Sequence, residues 1–410
     1  DSAAHPLFSA RRVRLRYAFR AALHRRIVIE SLVLDTPSML FDKQPGARWN
    51  FQALMRPSGA PATDTAPRRP PPELSNVTIH SGQFIWRRPW HPDSALPADR
   101  RDAAIAAALG ATARSRTERV PGGFQRVLYY HDIDASLPEV RLAQAGRPTA
   151  VRIAALSMLA EPYHPPAIDI RSLVGTLYAS KDSLWWTGAR MVLPASRVTG
   201  DGRIGFNRSG VTLHLAGAPV ALADFRWLNP RMPAEGGGRL VYDMRVHGDT
   251  AEYTVANADL RSGGATVEGD ATIARIHPAA GRSTVLVRGA DVTVSRLSTE
   301  LLHRLVPSVA IPRRGVFDRH VAMDGSLDSL RVDGDVRFAD ARAGTSRLTA
   351  RGVVGLTGGR SVRDLDLRLL PLQLATLSGA AGARLPPLRG TVTGRLHADG
   401  ARALFQRERR

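Results

Sequence analysis

The sequence predicts a mainly β protein: a long, curved antiparallel β-sheet, open as a groove or taco-like repeat array, with a few short helices. Three observations predict it. Apolar and polar residues alternate with period two through most of the chain after residue 125, which gives each strand one dry and one wet face. Gly, Asn and Asp punctuate these runs at hairpin spacing. A weak internal repeat of about 75–78 residues runs through the second half, as expected of stacked units that share a core.

In chain order, residues 1–55 form an N-terminal block. Val13–Tyr17 alternates like a strand, Ala18–Arg26 predicts a short helix, and Ile27–Leu34 returns to β character before Asp35-Thr36-Pro37 breaks it. Residues 56–72, RPSGAPATDTAPRRPPP, have no apolar period and read as a linker or loop. Residues 73–215 read as a β segment with an irregular insert at 89–122, in which Arg101–Leu109 predicts a short helix. Residues 216–410 hold the repeated β units. Their anchors Gly237, Gly315 and Gly390 lie 78 and then 75 residues apart, and Ser298–Leu305 predicts one short helix.

The cleanest alternations nominate one-sided apolar faces. They are Val211, Leu213 and Leu215; Leu240, Tyr242, Met244 and Val246; Leu330, Val332, Val336 and Phe338; and Leu365, Leu367 and Leu369. Because an unpaired charge is costly among apolar groups, these positions are where a substituted charge should matter most.

The formal charge is +20, yet only Lys43 and Lys181 are lysines and the arginines are spread along the whole chain. A diffuse positive surface suits solvated faces or anionic lipid headgroups better than nucleic acid, and an aromatic content of 6% is low for a base-stacking surface or a barrel girdle. With 0 cysteines there are no disulfides, thiolate metal sites or thiol nucleophiles. No apolar run is long enough to span a bilayer as a helix.

Nothing in the sequence assembles a catalytic centre, so a non-enzyme without cofactor is expected. The 12 histidines form no His-Glu-x-x-His pattern, and neither a nucleophile elbow nor a phosphate-binding Gly-x-x-x-x-Gly-Lys loop occurs. Asp324, Asp328, Asp333, Asp335 and Asp340 are the nearest thing to a metal cluster. They lack calcium-loop spacing, and the alternation places Asp333 and Asp335 on a wet face.

Residues 27–54, IVIESLVLDTPSMLFDKQPGARWNFQAL, resemble the N-terminal block of AsmA-like proteins of the diderm bacterial envelope. Residues 74–86, LSNVTIHSGQFIW, resemble that family's next element, and DGSLDSLRVDGDVRFADARAG within Met323–Gly355 resembles its strand repeats and those of its TamB-type relatives. The insert at 56–72 and the 89–122 region depart from the simplest pattern. The resemblance implies a periplasmic protein anchored in the inner membrane by a helix outside this chain. It further implies a bridge-like lipid carrier that moves phospholipids between membranes and supports outer-membrane biogenesis, with outer-membrane assembly proteins as partners. Starting at Asp1 without Met and ending Arg407-Glu408-Arg409-Arg410, the chain reads as a piece of such a protein, with a hydrophobic helix upstream and more β sequence downstream.

The physical reading agrees: acyl chains on an apolar sheet face remove area from water at roughly 25 cal/mol per Å². Roughly 20 to 25 strands about 4.8 Å apart would make a track on the order of 100 Å. The fourteen apolar positions named above are then the lipid-facing residues. Two alternatives are a factor whose strand edges template outer-membrane β proteins, and a closed β-sandwich binding module.

Overall fold

The computed structural model describes residues 6–19, 27–53, 73–92, 96–110, 114–143, 147–161, 166–206, 210–276, 284–305, 314–357, 361–376 and 389–401. These residues form 23 strands of an open, mainly antiparallel sheet, with few short helices. They fall into two compact units, Asp1–Asp201 with Asp224–Pro230, and Gly202–Ala223 with Arg231–Arg410.

The first unit is organised by two long strands, β5 (Glu73–Trp90) and β7 (Gly123–Arg141), paired antiparallel from Glu73↔Arg141 to Trp90↔Phe124. On the other side of β5, β3 (Val28–Asp35) and β4 (Ser38–Asp42) lie end to end, both parallel to it. The break between them is the predicted Asp35-Thr36-Pro37 turn. Thr36 adopts φ 49° and its N–H donates to the His80 carbonyl at 2.8 Å, while the Gln83 N–H donates to the Pro37 carbonyl at 2.8 Å. Both groups freed by the turn therefore stay paired, as the backbone demands. The alternating segment at Val13 is β2 (Arg12–Tyr17), antiparallel to β3. The short β1 (Phe8–Ser9) pairs with β4.

The 89–122 insert is more regular than the sequence suggests. Strand β5 continues through Pro89 to Trp90, helix α1 spans Ala98–Leu109, and β6 (Thr117–Val120) pairs with β7. Pro89 is tolerated because β4 has ended beside Arg87, so the ladder on that side needs no donor from it. Beyond β7 run β8 (Thr149–Ile153), β9 (Ala155–Glu161), β10 (Ile168–Ile170), β11 (Ser172–Ala179), β12 (Ser183–Val192) and β13 (Arg197–Gly205). The helix expected at 18–26 and the linker at 56–72 lie largely or wholly outside the described residues.

The second unit is a ten-strand antiparallel meander. It comprises β14 (Val211–Ala221), β15 (Gly237–His247), β16 (Thr250–Ser262), β17 (Ala265–Ile276), β18 (Thr284–Ser298), β19 (Gly315–Ser326), β20 (Ser329–Asp340), β21 (Gly344–Gly355), β22 (Ser361–Gln373) and β23 (Thr391–Ala401). Each strand pairs with the next. Helix α2 (Thr299–Leu305) interrupts the series after β18.

The repeat has a structural unit of four strands. Gly237 opens β15, Gly315 opens β19 and Gly390 immediately precedes β23. Helical residues sit before each: Leu222–Phe225, then α2, then residues 374–376. The anchors are glycine for stated reasons. A Cβ on Gly237 would strike the Val220 carbonyl and one on Gly315 the Phe338 ring, while Gly390 has φ +109°.

A second recurring device is a capped bulge. Ser81, Gly188, Asn257, Gly289 and Arg296 all have φ between 50° and 60° where the register slips. Their amides donate to Asp134, Asp201, Asp270, Asp324 and Asp318, each on a strand later in the chain, at 3.0, 2.7, 2.7, 3.2 and 2.8 Å. A bulge strands one N–H outside the ladder, and the neighbouring carboxylate takes it.

Candidate functional site

Residues opposed across an antiparallel ladder share a face, so the register of the meander decides where the fourteen nominated residues lie. All fourteen are on one face. Val211, Leu213 and Leu215 oppose Val246, Met244 and Tyr242. Leu330, Val332 and Phe338 oppose Gly325, Met323 and Phe317 on one side, and Val336 opposes Leu348 on the other. Leu348 in turn opposes Leu369, Ala350 opposes Leu367, and Leu365 opposes Ala398. Leu240 opposes Gly217.

Two rows cross many strands without a charge. One runs Leu213, Met244, Tyr253, Ile273, Val287, Gly325, Leu330, Val354 and Val362. The other runs Gly269, Val292, Val321, Gly334, Ala350, Leu367 and Leu396. A third row, through Val267, Val294, Val336, Leu348 and Leu369, contains Arg319.

Tyr253, Ile273, Val287 and Leu396 belong to this face although the alternation did not nominate them. The capped bulges are one reason: at Ala256–Asn257 the parity flips, so Val255 and Ala258 point the same way. A two-residue period therefore breaks in the sequence while the face continues in the sheet.

Much of this face remains accessible. Ile273 is 47% exposed, Tyr253 38% and Leu396 51%, and most nominated residues are half-buried. Part of it is covered: Leu301 and Leu302 of α2 pack on the buried trio Ala265, Val294 and Leu297, beside Phe317, and Leu330, Ala290 and Ala398 on the same face are buried as well. Phe338 stacks on Phe317 with ring centroids 4.4 Å apart and is itself buried.

The opposite face is polar and self-neutralising. Arg351 and Arg347 bind Asp333 and Asp335 across β20 and β21. Asp324 caps Gly289 and Asp328 accepts from Thr357, while Asp340, buried at the end of β20 on the side of Phe338, accepts from the amides of Arg342 and Ala343. Each member of the acidic cluster thus has a protein donor, and among the described residues no group of three metal-ligating side chains converges.

Histidine–aspartate pairs recur on this face at the strand junctions that begin each repeat. His214 meets Asp243 at 2.8 Å across β14 and β15, His320 meets Asp291 at 2.8 Å across β18 and β19, and His397 meets Asp366 at 2.9 Å across β22 and β23. The hydrogen bond to Asp366, opposed by desolvation and helped by the Asp366, Asp364 and Asp399 charges, raises the His397 pKa above its ordinary value. A raised folded-state pKa means the pair stabilises below the unfolded pKa and loses that contribution as pH rises through the folded value. The NMR titration midpoint of His397 is therefore expected above that of a free histidine, and Asp366→Asn should return it toward the ordinary value. An unchanged midpoint in that variant would exclude the pairing. Asp335 shows the converse: its hydrogen bond to Arg347 holds the carboxyl below the usual carboxylate range.

No helix among the described residues is long and apolar enough to cross a membrane. Comparison with protein-family models, with curated proteins and with solved structures gives no match.

Proposed function

We propose that this chain is a non-enzymatic lipid carrier of the AsmA-like type, and that the apolar face of β14–β23 receives phospholipid acyl chains. The observation that carries the reading is the accessible apolar face itself. Two charge-free rows cross many strands, and large side chains such as Ile273 and Tyr253 stay open on it. A sheet of ordinary globular design would cover such a face with a second layer. Saturated hydrocarbon can cover it instead, with no requirement for polar partners. The polar face, with its cross-strand ion pairs, stays in water. Position along the track needs no catalytic group. In this reading the chain works in the periplasm, anchored to the inner membrane by a segment outside these residues, and serves outer-membrane biogenesis together with assembly proteins there.

Lipid extraction and mass spectrometry of the full chain, purified from a diderm host without detergent, test this. Co-purifying phospholipid in near-stoichiometric or greater amount is the expected result. A folded chain free of lipid would favour the closed-sandwich or templating alternatives.

A further inference from the structure

Strand β2 is an edge strand of the first unit, and every one of its residues is exposed. Among the described residues it pairs with β3 alone, so its second edge meets no strand. Its sequence, Arg12-Val13-Arg14-Leu15-Arg16-Tyr17, alternates basic and apolar groups. Val13, Leu15 and Tyr17 oppose Leu34, Leu32 and Ile29 and share one face with them. From there the Leu15 row runs on through Val77 and Leu137, and the Tyr17 row through Leu74 and Val140, without a charge. Exposure falls inward along the Leu15 row: β2 is open, Leu32 is half-buried and Val77 is buried. Val13, Leu15 and Tyr17 are each more than half exposed. So are Phe19 and Ile27, just beyond the hydrogen bond from the Ala18 N–H to the Val28 carbonyl.

Arg12, Arg14 and Arg16 stand on the other face, with Arg11 before them. Arg14 and Arg16 reach Asp35 and Glu30 only at 3.5 Å, with both arginines largely in solvent, and such pairs hold loosely. Asp35 and Glu30 are the acidic residues of β3, so four arginines meet two carboxylates and positive charge is left over. Charge alone would guard an edge strand against pairing with another chain. It gives no reason for three apolar side chains left open beside it. A second copy of β2 is a poor cover, because every antiparallel register that aligns the apolar faces sets arginine against arginine. An anionic bilayer suits both faces. Its phosphates take the arginines and its interfacial hydrocarbon takes Val13, Leu15 and Tyr17, while the headgroup layer keeps water on the unpaired edge N–H and C=O groups.

We infer that the β2 edge is a docking surface that seats the first unit on an anionic phospholipid bilayer, with the Leu15 and Tyr17 rows leading from the bilayer into the sheet. The onward path along those rows rests on the lipid-carrier reading; the docking itself does not.

With 0 cysteines in the chain, Leu15→Cys gives one labelling site for an environment-sensitive fluorophore. The labelled full chain is mixed with vesicles of equimolar phosphatidylglycerol and phosphatidylcholine, and with vesicles of phosphatidylcholine alone, and binding is read by co-sedimentation. The chain should prefer the anionic vesicles, and the probe should shift to shorter wavelength on them. A probe at Arg331→Cys, on the polar face of the second unit, should not shift. In otherwise unlabelled chain, the triple variant Arg12→Gln, Arg14→Gln, Arg16→Gln should weaken binding about tenfold or more. A matched loss of three exposed arginines elsewhere, Arg245→Gln, Arg331→Gln and Arg368→Gln, should weaken it far less. Leu15→Gln should weaken it with all arginines kept. Urea unfolding of each variant checks that the chain is folded.

Equal losses from the two triple variants would make the attraction diffuse and overturn the site. So would a Leu15 probe that stays in water while the chain co-sediments, or a folded chain that binds neither vesicle. A probe that shifts with protein concentration when no vesicle is present would put a second copy on the edge and overturn it as well. The carrier reading stands or falls separately, on lipid extracted from the purified chain. Failure of vesicle binding leaves that lipid in place, and a lipid-free chain that still docks through β2 would sink the carrier alone.

Discussion

Val332→Asp is expected to stop lipid carriage, while the adjacent Arg331→Asp leaves most of it intact. Val332 is half-buried on the apolar face, opposed by Met323 and by Gly352, and Arg331 is its exposed neighbour on the polar face. A carboxylate at 332 must stay hydrated where hydrocarbon would otherwise lie, or take up a proton at an energetic cost. Either way one strand of a serial track becomes a barrier that every lipid has to pass. Met244→Asp and Arg245→Asp repeat the comparison on β15, where Met244 stands in a charge-free row and Arg245 faces solvent. The readouts are an envelope-integrity assay in cells and labelling from a photo-crosslinking residue at 332 or 331. Phospholipid adducts should form at 332 and not at 331. Urea unfolding of each variant separates a blocked track from an unfolded sheet. Equal labelling at both positions, or none at either in folded protein, would sink the acyl-chain assignment.

What made this face legible was the wet–dry period. A strand with one solvated side writes its register into the sequence, and the nine-residue run from Leu330 to Phe338 does so without a fault. The four-strand repeat was legible through its glycines, because close approach of a carbonyl or a ring at Gly237 and Gly315 excludes a side chain.

Other features leave no such trace. The capped bulges place Arg296 in a left-handed conformation that its residue type does not announce, and although Asn257 is a residue type that tolerates it, the capping aspartates of the two lie 22 and 13 residues away. The end-to-end parallel placement of β3 and β4 along β5 depends on long-range pairing, which local pattern does not encode. Pro89 and Trp90 read as the start of an irregular insert until β7 supplies Phe124 opposite Trp90. That aromatic pair exists only once the two strands are in register.

The remaining prediction asks whether the apolar face is open in solution, and its test is a difference in stability between two parts of the same face. Near α2 the face is covered. Leu297 is 6% exposed beneath that helix, and Phe338 is 5% exposed against the Phe317 ring. Truncating such a side chain removes its transfer free energy and leaves a cavity that close-packed neighbours fill only in part. Leu297→Ala should therefore cost about 2–5 kcal/mol and Phe338→Ala about 3–5 kcal/mol in urea unfolding. Farther along, Ile273 is 47% exposed and Tyr253 38% exposed on the same face. There is little cover to lose there, so Ile273→Ala should shift stability by no more than about 0.5 kcal/mol, the usual size of a surface change. Added phospholipid reverses the ordering of interest: a ligand that binds only the folded sheet stabilises it by mass action. Ile273→Ala should then reduce that ligand-dependent gain while leaving the lipid-free stability nearly unchanged. If Ile273→Ala in lipid-free protein costs as much as Leu297→Ala, the face is already covered by protein and has no room for an acyl chain. If it costs little and lipid still stabilises wild type and variant equally, the lipid lies elsewhere. Only a small intrinsic cost combined with a diminished lipid effect fits an open hydrocarbon track through Ile273.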